Sequence, residues 1–314
     1  MQMTRAIVTG GSGFIGSHLV DALVERGVDV TVIDMSEPKY RNSKASYVSH
    51  DIRHDGMNEI FANVKPDVVF HLAAHIDDRA SVKEPVVNAE HNVLGSLRVF
   101  EAARLAHAKK IVFASSGVVY GQAVKLPITE KTVTKPLTPY AISKLTGEQY
   151  LHFYQNQYGL PFVAFRIANV YGPRQDGSQE SGAIAIFTRK LMAGEPAFIN
   201  DDGLTVRDYI YVGDVVNAFM IAAESEVSGV FNCGTKIGTA TRELYAMVAN
   251  ELGTPLEPLA RPEVKDAVKS VILKSAKARI ELAWKPKVRL ARGLRQTLKW
   301  YSSPSLRAVG KTKV

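Results

Sequence analysis

Three glycines, Gly10, Gly13 and Gly16, join a short apolar run, Ala6-Ile7-Val8, to an amphipathic segment carrying Leu19, Val20, Leu23 and Val24. No other stretch constrains the fold as strongly. Spacing of the form G-x-x-G-x-x-G between a strand and a helix leaves backbone N–H groups exposed at the positive end of that helix. Gly10 and Gly13 leave no side chain between the backbone and an approaching diphosphate, and Gly16 lets the helix pack closely on the strand.

Tight strand-to-helix turns also use glycine for purely structural reasons, so position decides. Residues 28–33 form a second apolar run that ends in Asp34, about twenty residues past the glycines, where a ribose diol needs an acceptor. An acid at this point repels a 2′-phosphate, which favours NAD over NADP.

Strand and helix patterns then alternate, as a doubly wound parallel sheet requires. Apolar runs at residues 67–72, 110–115 and 161–167 each follow a helical segment. Residues 85–107 read as one helix, with Val93, Leu97, Phe100 and Leu105 near helical spacing. A further helix is expected from Pro139, with Thr138 as its N-cap and proline at the first helical position. The expected class is α/β: a Rossmann-type doubly wound parallel sheet with a smaller C-terminal α/β substrate-binding domain. Residues 1–170 form the dinucleotide-binding part. Residues 171–314 form the substrate part, interleaved with it because a segment near 205–235 returns to the sheet; residues 230–233 read as a buried strand. Residues 305–314 are expected to fray.

Composition supports an enzyme. The 314 residues, 46% hydrophobic, can bury a full core and carry a second unit. A single cysteine, Cys233, excludes an internal disulfide and fits a reducing compartment, so a cytoplasmic location is expected. No secretory leader or membrane-length apolar stretch is read. The net charge of +8 thickens after Lys285 but lacks the basic stripe with stacking aromatics that nucleic acid requires, so it reads as an attraction for phosphorylated substrates. No metal site, nucleic-acid partner or membrane partner is expected.

The chemistry centres on Tyr140-Ala141-Ile142-Ser143-Lys144. Residues four apart share a helix face, so the phenol and the ammonium reach one ligand. Tyrosine titrates near pH 10 when unperturbed, and a neighbouring lysine, the helix N-terminus and a nicotinium ring all favour its phenolate. Upstream, Ile111-Val112-Phe113-Ala114-Ser115-Ser116 ends in two hydroxyls at a C-terminal strand edge, where open α/β sheets place ligands. Ser116 can hold the substrate hydroxyl that Tyr140 deprotonates.

With these residues the chain resembles an extended short-chain dehydrogenase/reductase, and most closely the UDP-glucose 4-epimerase family, over nearly its whole length. Thr9-Gly10-Gly11-Ser12-Gly13-Phe14-Ile15-Gly16 matches that family's nucleotide turn, Asp51-Ile52 its adenine-contacting pair, and His71-Leu72-Ala73-Ala74 the strand end flanking the cofactor. The segment Ser115-Ser116-Gly117-Val118-Val119-Tyr120-Gly121 matches the strand of the catalytic serine. The resemblance implies a catalytic role for Ser116, Tyr140 and Lys144, with Tyr140 and Lys144 also on the cofactor. It implies cofactor contacts from Gly10, Gly13, Phe14, Ile15, Gly16, Asp34, Asp51, Ile52, Leu72, Ala73 and Ala74. Asn169, in Asn169-Val170-Tyr171-Gly172-Pro173-Arg174, and Arg207, in Arg207-Asp208-Tyr209, resemble groups on the substrate diphosphate, as does Arg261.

The implied activity is reversible C4 epimerisation of a UDP-hexose with NAD regenerated in each cycle. Related dehydratases and decarboxylases place acidic residues just after the serine or threonine of this strand, where this chain has Gly117 and Val118. UDP-glucuronate and UDP-N-acetylglucosamine remain alternative substrates, the former because Arg174 could pair with a carboxylate. The helices spanning residues 91–106 and 140–154 resemble those of a dimer bundle, so a homodimer is expected. Three features depart from the family pattern. Arg261-Pro262-Glu263 lacks the usual glycine, Lys274 replaces a usual aspartate, and Asp77-Asp78 are unusually acidic, the last two with consequences expected for sugar choice.

Overall fold

The computed structural model describes residues 3–176, 182–262 and 268–303. The fraying expected of residues 305–314, and the position of Glu263, lie outside the described residues. Seven strands form the main sheet: β1 (Arg5–Thr9), β2 (Asp29–Asp34), β3 (Ser46–Ser49), β4 (Val68–His71), β5 (Lys110–Ser116), β6 (Phe162–Ile167) and β7 (Gly229–Cys233). Their order is β7-β6-β5-β4-β1-β2-β3 and every pairing is parallel. This is a Rossmann-type doubly wound sheet, and the strand order reverses between β1 and β4.

Alternation along each strand feeds two separate cores. From β1, Ala6 and Val8 pack with Leu19, Leu23, Val215 and Phe219, whose helices cover one face. Ile7 points the other way, into a core shared with Phe61, Phe100, Leu151 and Tyr154. Period-two side-chain direction explains why β1 reads as continuously apolar: both of its faces are covered. Each fully buried Phe or Leu contributes about 1.5–3 kcal/mol relative to exposure.

The helix from Pro139 to Tyr158 begins as expected, with Thr138 Oγ1 accepting from Ala141 N at 3.2 Å. Residues 85–107 depart from the single α-helix expected. An α-turn, Pro85–Ala89, opens into a π-helical turn, Glu90–Leu94, before α-helix resumes at Gly95–Leu105. Wider turns of this kind accommodate one extra residue and concentrate at functional sites.

Beyond β6, short strands Asn169–Tyr171, Val206–Tyr211, Gly238–Ala240 and Ser270–Val271 form a second sheet. Helices Ala183–Met192, Thr241–Leu252 and Leu290–Tyr301 enclose a third core around Phe187, Tyr245 and Leu294. Buried Asp208 accepts from Thr235 N, Lys236 N and Leu273 N at 3.0–3.2 Å and so pins the strand that carries Arg207.

Candidate functional site

A cleft of about 1060 Å³ opens at the C-terminal ends of the parallel strands. The expected cofactor residues Gly10, Gly13, Phe14, Ile15, Gly16, Asp34, Asp51, Ile52, Leu72, Ala73 and Ala74 all line it. So do Ser116, Tyr140, Lys144, Asn169 and Arg207. Arg261 does not. Its guanidinium stacks 3.8 Å from the centre of the Phe198 ring, and it is Phe198 that reaches the cleft.

The glycine turn fits a diphosphate on steric grounds. Gly10 has φ 73°, a left-handed conformation, and a Cβ there would lie 2.6 Å from Ala73 N. At Gly16 a Cβ would collide with Gly10 O, so the helix could not begin this close to the strand. Ser12 Oγ, in the same turn, is buried without a hydrogen-bond partner. An unpaired buried hydroxyl beside a cradle of this kind suits a polyanionic ligand. Asp34 braces the turn, accepting from Ser12 N at 3.0 Å and from Ser36 N at 2.9 Å, with lone pairs left for a diol. Asp51 is held down to about 2 chiefly by its hydrogen bonds from Arg53, whose Nη2 lies 2.6 Å away.

At the other end, β5 delivers Ser116 and the Pro139 helix delivers Tyr140 and Lys144. The Ser116 hydroxyl and the Tyr140 phenol line the same end of the cleft. Burial pushes that phenol up to about 12; Ser116 opposes the rise and the charge of Asp78 adds to it. Lys144 Nζ donates to Ala114 O at 2.8 Å and lies 5.9 Å from the centre of the Tyr140 ring. Burial pulls Lys144 down to about 7. The phenolate expected from the lysine, the helix N-terminus and a nicotinium ring acting together is opposed by burial of both side chains. The protein's own environment drives both groups toward neutrality, because each charge would sit in a poorly solvated pocket.

Several supporting side-chain roles went unread in the sequence. His71 is fully buried and pushed down to about 3 by burial and by the charge of Lys144. Ser96 Oγ donates to Asn92 O at 2.6 Å, so His71 Nε2 carries the proton and donates to Ser96 Oγ at 2.8 Å. Nδ1 then accepts from Thr9 Oγ1 at 2.6 Å, next to the glycine turn. Asn92, in the π-turn, brackets the His75 backbone, with Oδ1 to N at 2.8 Å and Nδ2 to O at 2.9 Å. It also donates to Ser143 Oγ at 3.2 Å, and Ser143 donates to Tyr140 O at 2.8 Å. The available signal was two short polar residues, Asn92 and Ser96, four apart and so on one face of the helical segment.

Arg207 directs Nη1 at Val206 O and Lys269 O and Nη2 at Val268 O, leaving part of its five-donor fork for an anion. Arg174 is already paired, its Nη2 2.7 Å from Asp21 Oδ2 and its guanidinium over the Tyr40 ring at 5.1 Å. Arg174 also lines the cleft, and its Nη1 is buried without a hydrogen-bond partner. Lys274 is exposed and outside the cleft, with its backbone N donating to Ile128 O at 2.7 Å. Its expected influence on sugar choice finds no structural support. Asp77 caps the short helix Asp78–Lys83 by accepting from Arg79 N and Ala80 N, and Asp78 accepts from the Thr138 hydroxyl.

A parallel sheet with a glycine cradle at its switch point, and a serine, tyrosine and lysine converging beyond it, defines a dinucleotide-dependent enzyme of the short-chain dehydrogenase/reductase type. Within that class, the chain belongs to the NAD dependent epimerase/dehydratase family, whose model matches residues 6–234. It is 41% identical to the UDP-glucose 4-epimerase of Mycolicibacterium smegmatis, over 96% of this chain and 99% of that protein. Its fold superposes on the Thermotoga maritima UDP-glucose 4-epimerase with UDP-glucose at a TM-score of 0.93 and 41% identity, covering 95% of this chain and 98% of that one. The Thermus thermophilus UDP-glucose 4-epimerase complex with NAD gives 0.90 and 36%, covering 96% and 100%. No helix among the described residues is long and apolar enough to cross a membrane.

Proposed function

We propose that this chain interconverts UDP-glucose and UDP-galactose by NAD-dependent inversion at C4. One observation carries the reading: Ser116, Tyr140 and Lys144 converge at one end of a dinucleotide cleft, and Ser116 is followed by Gly117 and Val118, which offer neither acid nor base for elimination.

Bound NAD would supply reversible hydride exchange at C4, and a positively charged ring there would favour the phenolate. Ser116 holds the C4 hydroxyl while Tyr140 takes its proton. Lys144 holds the cofactor ribose from the same helix face and carries a proton at neutral pH once an acceptor replaces the lost solvation. Asn169 and the free donors of Arg207 hold the diphosphate, leaving the 4-keto sugar free to turn. Tyr140 then returns its proton to the C4 oxygen. Arg261 acts on the substrate indirectly, by backing the Phe198 ring.

The same reading includes a cytoplasmic homodimer. Leu94, Leu105, Ile142, Tyr150 and Phe153 are exposed apolar side chains on two contacting helical segments, a patch that a second copy would cover. Proton NMR of the purified chain with UDP-glucose should show UDP-galactose appearing, with unchanged mass and no deuterium at C4 in heavy water. Loss of water or stoichiometric release of NADH would overturn the reading.

A further inference from the structure

The sugar end carries a charge that the epimerase reading does not use. Asp78 lines the cleft with Ser116 and Tyr140. It is exposed, so its charge is free to act on a ligand, yet its position is fixed. Oδ1 accepts from the hydroxyl of Thr138, the N-cap of the helix that carries Tyr140. A second tie joins the same two elements, Tyr140 N donating to Ser81 Oγ at 3.2 Å, while Ser81 Oγ donates to Asp78 O at 2.6 Å. Asp78 is therefore held at the start of the helix that carries the phenol, and its charge opposes the ionisation of that phenol.

We propose that Asp78 is a specificity-determining residue: its carboxylate, fixed beside Tyr140, admits UDP-hexoses whose C6 is a neutral hydroxymethyl and rejects UDP-hexuronates. The inference rests on the C4 chemistry proposed above. A sugar whose C4 hydroxyl lies on Tyr140 must bring C6 close by, because C6 is bonded to C5, the immediate neighbour of C4. A hydroxymethyl there can donate to Asp78, whereas a carboxylate meets a like charge.

Nearby cations do not cancel this effect. Arg174 Nη2 is paired with Asp21, and Arg207, the cation that feels the Asp78 charge, has its free donors on the substrate diphosphate in the reading above. Lys144 is turned to Ala114 O. Arg79 is exposed on the same loop and offsets one of the two aspartates, leaving residues 77–79 net negative. Like charges a few ångströms apart near a protein surface should separate the two substrate classes by roughly ten- to fiftyfold.

Asp78→Asn tests this cleanly, since the amide oxygen can still accept from Thr138 and only the charge is removed. The measurement is kcat/KM for UDP-glucose and for UDP-glucuronate, in the wild type, Asp78→Asn and Asp78→Glu, at low and high salt. Wild type should prefer UDP-glucose. Asp78→Asn should narrow the ratio about tenfold by raising the glucuronate value, Asp78→Glu should restore it, and salt should narrow it in the wild type alone. Asp77→Asn should leave most of the preference, because the Asp77 side chain caps its own helix. A wild type active on UDP-glucose whose ratio ignores Asp78 overturns this inference alone. A wild type inactive on every UDP-sugar overturns the epimerase reading and the inference with it.

Discussion

At the cofactor end of the cleft the walls are backbone: Gly10 lies against Ala73 N, Gly16 against Gly10 O, and Asp34 grips the turn through Ser12 N. At the sugar end they are side chains, Asp78, Asn169, Phe198 and Arg207, brought from segments far apart in the chain. The backbone wall tolerates no added atom, whereas the side-chain wall can exchange charge and shape with little effect on the fold. Cofactor use is accordingly rigid in this architecture and sugar choice adjustable, since exposed side chains change at small cost to stability.

The sharpest division between the two ends comes from Tyr140→Phe. The variant keeps the ring and its packing but removes the proton acceptor, so turnover should fall roughly a hundred- to ten-thousandfold. NAD titrated by calorimetry should still bind, because the glycine turn is untouched; joint loss of both would erase the distinction between the two ends.

Gly10→Ala probes the backbone wall. A Cβ 2.6 Å from Ala73 N, on a residue with φ 73°, combines overpacking with left-handed strain and should weaken NAD binding by roughly a hundredfold. Near-normal NAD affinity would mean that the turn can shift and that the cofactor end is as adaptable as the sugar end.

The smallest effect belongs to Arg261→Ala. Removing a guanidinium stacked on Phe198 forfeits about 0.5–1 kcal/mol, so KM for the UDP-sugar should rise about two- to fivefold with kcat little altered. A rise of a hundredfold would make Arg261 a direct diphosphate ligand after all.

How much of this was legible follows the same division. The glycine turn, Asp34, the Thr138-Pro139 helix start and the Tyr140/Lys144 spacing are local patterns, each forced by the conformation of a few consecutive residues, and each appears where expected. The π-turn at Glu90–Leu94 was not legible, because the bonds that stabilise it, from Asn92 to His75 and Ser143, reach other elements. The pairing of Arg174 was not legible for a related reason. Its partner Asp21 lies on the first helix, and nothing near residue 174 in the chain announces that pairing.

By itself the sequence determined a parallel α/β sheet, a dinucleotide turn at its first crossover and a tyrosine–lysine pair on one helix face, because apolar period, glycine conformation and helical spacing are properties of neighbouring residues. Only the tertiary structure decided which charges are free. Arg174 Nη2 is paired with Asp21, Lys144 and Tyr140 are driven toward their neutral forms by burial, and the Asp78 carboxylate is held by Thr138 at the start of the Tyr140 helix. The physical reason is that the energy of a charge depends on solvent access and on partners within a few ångströms, and both are set by packing between segments that the chain order keeps apart.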